Sequence, residues 1–167
     1  ESLRTELRHK KSKVHLTMVQ LPGVNTPQFD HCRCKLPNKP MPVAPVYQPE
    51  VAARAVHWAA HHRRREVWVG VPTVYTILGN KLSPIVAELY LAHTAVGGQQ
   101  TEEPVSPDRH DNLFEPPPGD PGAHGDFDEK AHRHSAQSWA SLHRGSLLAG
   151  LGAGAASLAA AGTLLRR

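Results

Sequence analysis

The turn between Leu21 and Pro27 carries the side chains and backbone groups whose types and spacing are best suited to bind a ligand. Its sequence is LPGVNTP. Pro22 lacks a backbone N–H and Gly23 tolerates positive φ, so a preceding strand has to end there. Beyond that point, unpaired backbone amides and the Thr26 hydroxyl can approach a ligand. The sequence therefore predicts a binding turn, with a simple strand terminator as the alternative.

The histidines and cysteines do not predict a further reactive site. His57 and His61 have the i, i+4 spacing of a helical metal pair, but two arginines on the same stripe disfavour a divalent cation. Cys32 and Cys34 are the only cysteines. A lone C-x-C is neither a zinc site nor a disulfide framework, so we expect free thiols in a reducing compartment and no metal site.

Secondary-structure patterns around the turn predict a βαβ unit. Val14, Leu16 and Met18 alternate with polar residues, which is typical of a strand. A helix of about four turns is predicted from Pro49, because proline suits the first helical position. Its apolar face consists of Val51, Ala55, Trp58, Ala59 and His62. Residues 66–70 (EVWVG) predict a second strand, which should lie parallel to the first in an α/β sheet.

These segments, in this order, resemble the C-terminal half of a classical short-chain dehydrogenase/reductase. The resemblance rests on ESLRTELR, the strand ending in LPGVNTP, PEVAARAVHWAAHH and EVWVG, and it covers about residues 1–80. It implies an α/β fold that is the C-terminal portion of a Rossmann-like doubly wound parallel sheet. It also implies NAD or NADP as cofactor and an alcohol or carbonyl substrate. The cofactor-binding residues would be Pro22, Gly23, Val24 and Thr26.

The loop after the turn forms part of the substrate pocket in the resembling family. In this chain the loop runs from Pro27 to Pro49, and it offers five residues that could line an apolar pocket: Phe29, Leu36, Met41, Val43 and Tyr47. An irregular solvated connection is the alternative. The turn also departs from the family pattern Pro-Gly-x-Val-x-Thr, since only two residues separate Gly23 from Thr26.

Two features that such an enzyme requires are missing from the sequence. No glycine-rich turn follows a strand, although a dinucleotide pyrophosphate needs one at a helix N-terminus. None of Tyr47, Tyr75 and Tyr90 has the lysine four residues later that would form the catalytic pair. We therefore expect an N-terminally truncated chain without catalytic residues. It would be inactive alone and would bind NAD(P) only with the upstream half.

Composition divides the chain into three predicted regions. Residues 1–96 are the reductase-like part, 97–140 a linker or disordered segment rich in Pro, Gly, His and Asp, and 141–167 an apolar Gly/Ala/Leu helix. Residues 145–165 carry no charge and are long enough to span a bilayer, with a flexible tail as the alternative. A further helix between about Leu78 and Leu91, starting after Ser83-Pro84, would cap the pocket or join the interface of a homo-oligomer.

Charge argues against nucleic acid as a partner. The net charge is only +4, and the basic run at residues 61–65 lies at a helix C-terminus, where cations complement the helix dipole. We expect a cytoplasmic location, with membrane attachment through 145–165. The alternative to an oxidoreductase fragment is a membrane-tethered, non-catalytic interaction or scaffold protein with a reductase-like surface.

Overall fold

A parallel strand pair with one helix packed against it forms the centre of the α/β fold. In the computed structural model, residues 1–164 are described, and their side chains as far as residue 155. Strand β1 (Met18–Gln20) follows helix α1 (Ser2–His9), and it pairs in parallel with strand β5 (Glu66–Trp68), with Val19 opposite Val67. Helix α3 (Pro49–His61) connects the two strands. The predicted βαβ unit and its parallel pairing are therefore confirmed.

The hydrophobic core lies between α3 and this strand pair. Val51 and Ala55, four residues apart, are the buried residues of α3, as expected for two successive turns of one helical face. They pack in one cluster with Val67, Val69 and Tyr47. The apolar face predicted from the helical spacing therefore includes the residues that α3 buries.

Two further small sheets surround the centre. Strands β2 (Gly23–Val24), β4 (Val46–Tyr47) and β7 (Ala131–His132) form a parallel sheet in the order β2-β4-β7. Strands β3 (Asn38–Pro40) and β6 (Gln100–Pro104) pair antiparallel. Helix α2 (Gln28–His31) lies in the loop between β2 and β3.

The segment 97–140, whose composition predicts a linker, contributes several elements to the fold. It supplies β6, a 3₁₀ turn (Asp128–Lys130), β7 and the start of helix α6 (Ala136–Leu142). Phe127 is buried and meets Phe29 edge to face, with 6.1 Å between ring centroids. An aromatic pair of this kind adds to the energy of burial, which accounts for the contact of this segment with the domain. The three-region division itself stays a prediction.

A helical hairpin follows β5. Helix α4 (Val71–Leu82) and helix α5 (Pro84–Gly98) are separated by Ser83, whose backbone is extended (φ −152°, ψ 86°). The residue before a proline is disfavoured in the helical region, which explains the break. The helix predicted after Ser83-Pro84 corresponds to α5, whereas α4 was not predicted from the sequence.

Helix α7 (Arg144–Leu164) ends the described part of the chain. The sequence predicts an apolar helix that spans a membrane over residues 145–165, the last of which lies outside the described residues. Among the described residues, no helix is both long enough and apolar enough to cross a membrane. The glycines and hydroxyl residues of α7 explain this difference from the prediction, because they dilute its leucines.

Candidate functional site

A cleft of about 300 Å³ opens at the carboxyl ends of β1 and β5. Its walls come from the end of β1 and the turn after it, from the loop before β4, and from the first turns of α4. The residues that line it are Gln20, Leu21, Pro22, Gly23, Val43, Ala44, Pro72, Thr73, Tyr75, Thr76 and Ile77. Ligands of open α/β sheets bind outside the carboxyl ends of the strands, so this cleft is the candidate site.

Gly23 permits the close approach of two cleft walls. A Cβ atom at this position would overlap the carbonyl oxygen of Val43 and touch the Pro42 ring. Any other residue would therefore push the loop before β4 away from the turn. The same loop carries Val43, which is half exposed at the cleft.

Gly70 sets the direction of α4 on the other side of the cleft. Its φ of +82° lies in the left-handed region that favours glycine, and a Cβ there would come within 3.1 Å of the Tyr47 ring and 3.3 Å of Pro22. Its N–H donates to the Ser138 hydroxyl at 3.0 Å. The backbone thus turns sharply from β5 into α4, which brings the first turns of α4 against Pro22.

The side chains that line the cleft are neutral. Walls of proline, valine, alanine and isoleucine alternate with the hydroxyl groups of Thr73, Tyr75 and Thr76. The Thr73 hydroxyl is buried and has no hydrogen-bond partner among the described residues. Such a surface can enclose an apolar or uncharged polar group and donate hydrogen bonds to it, but it contains no carboxylate, imidazole or amine to transfer a proton.

Behind the turn, Asn25 connects the turn to two distant segments, residues 47–48 and 127–128. Its N–H donates to the Tyr47 carbonyl at 2.9 Å, and its side-chain amide donates to Asp128 at 2.8 Å. Its side-chain oxygen accepts from the Phe127 N–H at 3.1 Å. Gln48 donates to the same Asp128 oxygen at 2.9 Å, and this bond, with a smaller effect of His124, lowers the pKa of Asp128. These hydrogen bonds therefore hold the turn in place from its buried side.

The structure brings together only part of the predicted site. Pro22 and Gly23 line the cleft together with Val43. Val24 and Thr26 are half-buried and do not line it. The Thr26 carbonyl instead faces Gly125, where an added Cβ would lie 2.5 Å from the oxygen.

The remaining predicted pocket residues lie elsewhere. Tyr47 is a core residue with its ring 5.4 Å from the His132 ring, and Phe29 packs on Phe127. Leu36 and Met41 are half-buried on either side of β3, away from the cleft. Of the five residues predicted to line a substrate pocket, only Val43 lines the cleft. No group of three His, Cys, Asp or Glu within the described residues is arranged to hold a metal ion.

Helix α4 supplies most of the lining residues that sequence patterns did not indicate. A signal was present, because Gly70 followed by Pro72 is typical of a helix start after a turn. Nothing in the sequence indicated that the Asn25 side chain is buried, since an asparagine in a turn is usually exposed. Only the contact with residues 127 and 128 shows that it is buried.

Comparison with known proteins gives one distant relationship. The sequence matches no family profile, and no solved structure matches it. It is 25% identical over 116 residues to the uncharacterized oxidoreductase YxnA of Bacillus subtilis (strain 168). The chain is distantly similar to an oxidoreductase. The alignment covers 69% of this chain and 33% of YxnA, so the chain spans about a third of the length of that relative.

Proposed function

We propose that the chain forms the nicotinamide-side wall and part of the substrate pocket of an NAD(P)-dependent short-chain oxidoreductase that acts on an alcohol or carbonyl group. The observation that carries the proposal is the cleft at the carboxyl ends of the parallel strands β1 and β5, with Pro22 and Gly23 in its wall. The order of the reductase-like segments and the distant similarity to an oxidoreductase support it.

The cleft fits the nicotinamide end of such a cofactor but not its phosphates. A volume of about 300 Å³ and neutral walls suit one flat ring or a small substrate beside it. The pyrophosphate would need a glycine-rich turn or a cation, and the lining residues include neither. In this proposal the phosphate-binding turn and the catalytic tyrosine and lysine come from other parts of the enzyme.

The residues of this chain would position the reactants. When bound, the nicotinamide supplies hydride transfer to or from the substrate carbon. Pro22 and Gly23 would pack on the ring, with Val24 and Thr26 continuing the cofactor side of the turn. The hydroxyl groups of Tyr75 and Thr76 could orient an alcohol or carbonyl oxygen, while the apolar walls exclude water.

The proposal is tested by filling the cleft in the intact enzyme. Val43→Trp should raise KM for the cofactor or substrate about tenfold, because the indole ring occupies the cleft, and binding energy of this size is common for one blocked contact. Steady-state kinetics with NADH or NADPH and a panel of carbonyls, and with NAD⁺ or NADP⁺ and a panel of alcohols, measure the effect. The melting temperature should stay unchanged, because Val43 is 49% exposed.

Val56→Trp is the matched control. Val56 is 51% exposed on α3 and lies outside the cleft, so its replacement should leave KM unchanged. Equal kinetics of the two variants would contradict the proposed site. A folded intact protein that binds no nicotinamide cofactor, and neither oxidises nor reduces one, would contradict the function itself and favour the scaffold alternative.

A further inference from the structure

Three arginines converge on a second cleft, of about 330 Å³, which lies along one face of β5. Arg64 and Arg65 precede β5, and Arg144 is the first residue of α7. The remaining lining residues are Glu66, Trp68, Gln137 and Ser141. Glu66 and Trp68 are two residues apart and so point to one face of β5, whereas Val67 points into the core. This arginine cleft therefore shares no residue with the candidate active site.

Arg64 is held in place by neighbouring groups. One guanidinium nitrogen donates to the Ser141 carbonyl at 2.8 Å, and the guanidinium carbon lies 5.9 Å from the centre of the Trp58 ring. Burial, and to a smaller extent the charge of Arg144, lowers the pKa of Arg64. Its other N–H groups remain available, since a guanidinium has five donors in a fixed fork.

The positive charges of the cleft are only partly neutralised. Neither Arg64 nor Arg144 forms an ion pair with a carboxylate in the described part of the chain, whereas Arg65 pairs with Glu1 at 2.6 Å and lies 4.0 Å from Glu66. Glu66 also accepts a hydrogen bond from the Trp68 indole at 3.0 Å. Two like charges that face each other without a counterion favour the binding of an anion between them.

We propose that the arginine cleft binds a phosphate group. Guanidinium groups bind phosphate oxygens through paired, charge-assisted hydrogen bonds, which a monovalent anion such as chloride cannot match. The indole of Trp68 and the amide of Gln137 would contact the part of the ligand next to the phosphate. The phosphate would belong to a soluble monoester or to a lipid headgroup, which present the same chemistry to the arginines.

Binding is measured on the full chain with inorganic phosphate and glycerol 3-phosphate. The readout is the NMR signal of the tryptophan indole N–H groups. The Trp68 signal should shift saturably, while that of Trp139, which does not line the cleft, should not. Arg144→Gln should weaken binding about tenfold, the loss expected for one charge-assisted contact.

Arg63→Gln is the matched control, because Arg63 adjoins Arg64 in sequence but lines a different surface. It should leave the affinity unchanged. Arg144 is exposed, so its variant tests the cleft without disturbing the core, and circular dichroism checks its fold. The absence of a Trp68 shift with every phosphate ligand, or an equal loss of affinity in both variants, would overturn the proposal.

A second arm distinguishes the two sources of phosphate. Vesicles of phosphatidylcholine with and without phosphatidic acid are sedimented with each variant. Sedimentation that requires phosphatidic acid and is lost in Arg144→Gln assigns the site to a lipid headgroup. Binding of glycerol 3-phosphate without such sedimentation assigns it to a soluble monoester. These measurements contain no nicotinamide cofactor, so their outcome does not depend on the proposed oxidoreductase function.

Discussion

The Asn25 side chain is fully buried and hydrogen-bonded at both ends of its amide group. Asn25→Leu removes the acceptor of the Phe127 N–H and one donor to Asp128 and keeps the same branched arrangement of side-chain heavy atoms. Since a buried polar group left without a partner costs about 1–3 kcal/mol, we expect the free energy of unfolding to fall by about 2 kcal/mol or more. Urea denaturation followed by circular dichroism measures the change.

Asn112→Leu is the control for this substitution. Asn112 is exposed, and its bond to His31 is made by its backbone N–H, which the variant retains. Its unfolding free energy should change by less than about 0.5 kcal/mol. Similar losses in both variants would show that Asn25 does not fix the turn. Because Asn25 lies between Val24 and Thr26, its loss would also displace the two residues proposed for the cofactor side of the turn.

At the scale of elements, replacing the glycine before α4 and the glycine inside it by alanine should have opposite effects on stability. Gly70 has a φ of +82° and precedes α4, whereas Gly79 lies inside α4, where an added Cβ would point into open space. Gly70→Ala should lower the free energy of unfolding by about 1–3 kcal/mol, because the left-handed backbone and the Tyr47 ring oppose a methyl group. Gly79→Ala should raise it by about 0.5–1 kcal/mol through helix propensity.

Thermal and urea unfolding of the two variants compare these effects directly. If Gly70→Ala were as stable as the wild type, the sharp entry from β5 into α4 would not be needed. The proposed function further predicts that Gly70→Ala raises KM in the intact protein, since α4 carries much of the cleft wall, whereas Gly79→Ala leaves KM unchanged.

The elements that the sequence predicted are those with a local periodic signal. Helix α3 repeats its apolar residues at helical spacing, and β1 and β5 are short apolar runs bounded by turn residues. Strands β2, β4 and β7 are two residues long, so no periodicity can reveal them, and β4 and β7 are separated by more than eighty residues. The apolar residues of helix α4 are spread over more than half of its circumference, which weakens the one-sided apolar stripe that predicts a helix. For the same reason, only the part of the site next to the turn was predictable.

At the scale of the whole molecule, the described chain leaves a broad apolar surface on the α4–α5 hairpin. Helix α5 buries none of its residues, and Ile85, Leu89 and Tyr90 are each more than half exposed. A parallel sheet normally has both faces covered, and the central strand pair here is only two strands wide. The homo-oligomer expected from the sequence stays a prediction. The proposed function places this chain beside a larger part of the enzyme.

The proposed division of the cofactor site between this chain and the rest of the enzyme makes a prediction about the chain on its own. Addition of NADH or NADPH to residues 1–167 should give no saturable quenching of the fluorescence of its three tryptophans. The pyrophosphate accounts for much of the recognition of a dinucleotide, and it requires a glycine-rich turn between a strand and a helix N-terminus. Among the described residues, four strands lead directly into an α-helix, and the connections at 25–27, 48, 69–70 and 133–135 contain no glycine-rich run. Free N-acetyltryptophanamide corrects for absorption by the cofactor, and circular dichroism establishes that the chain is folded. Saturable quenching of a folded chain would contradict the division of the cofactor site between this chain and the rest of the enzyme.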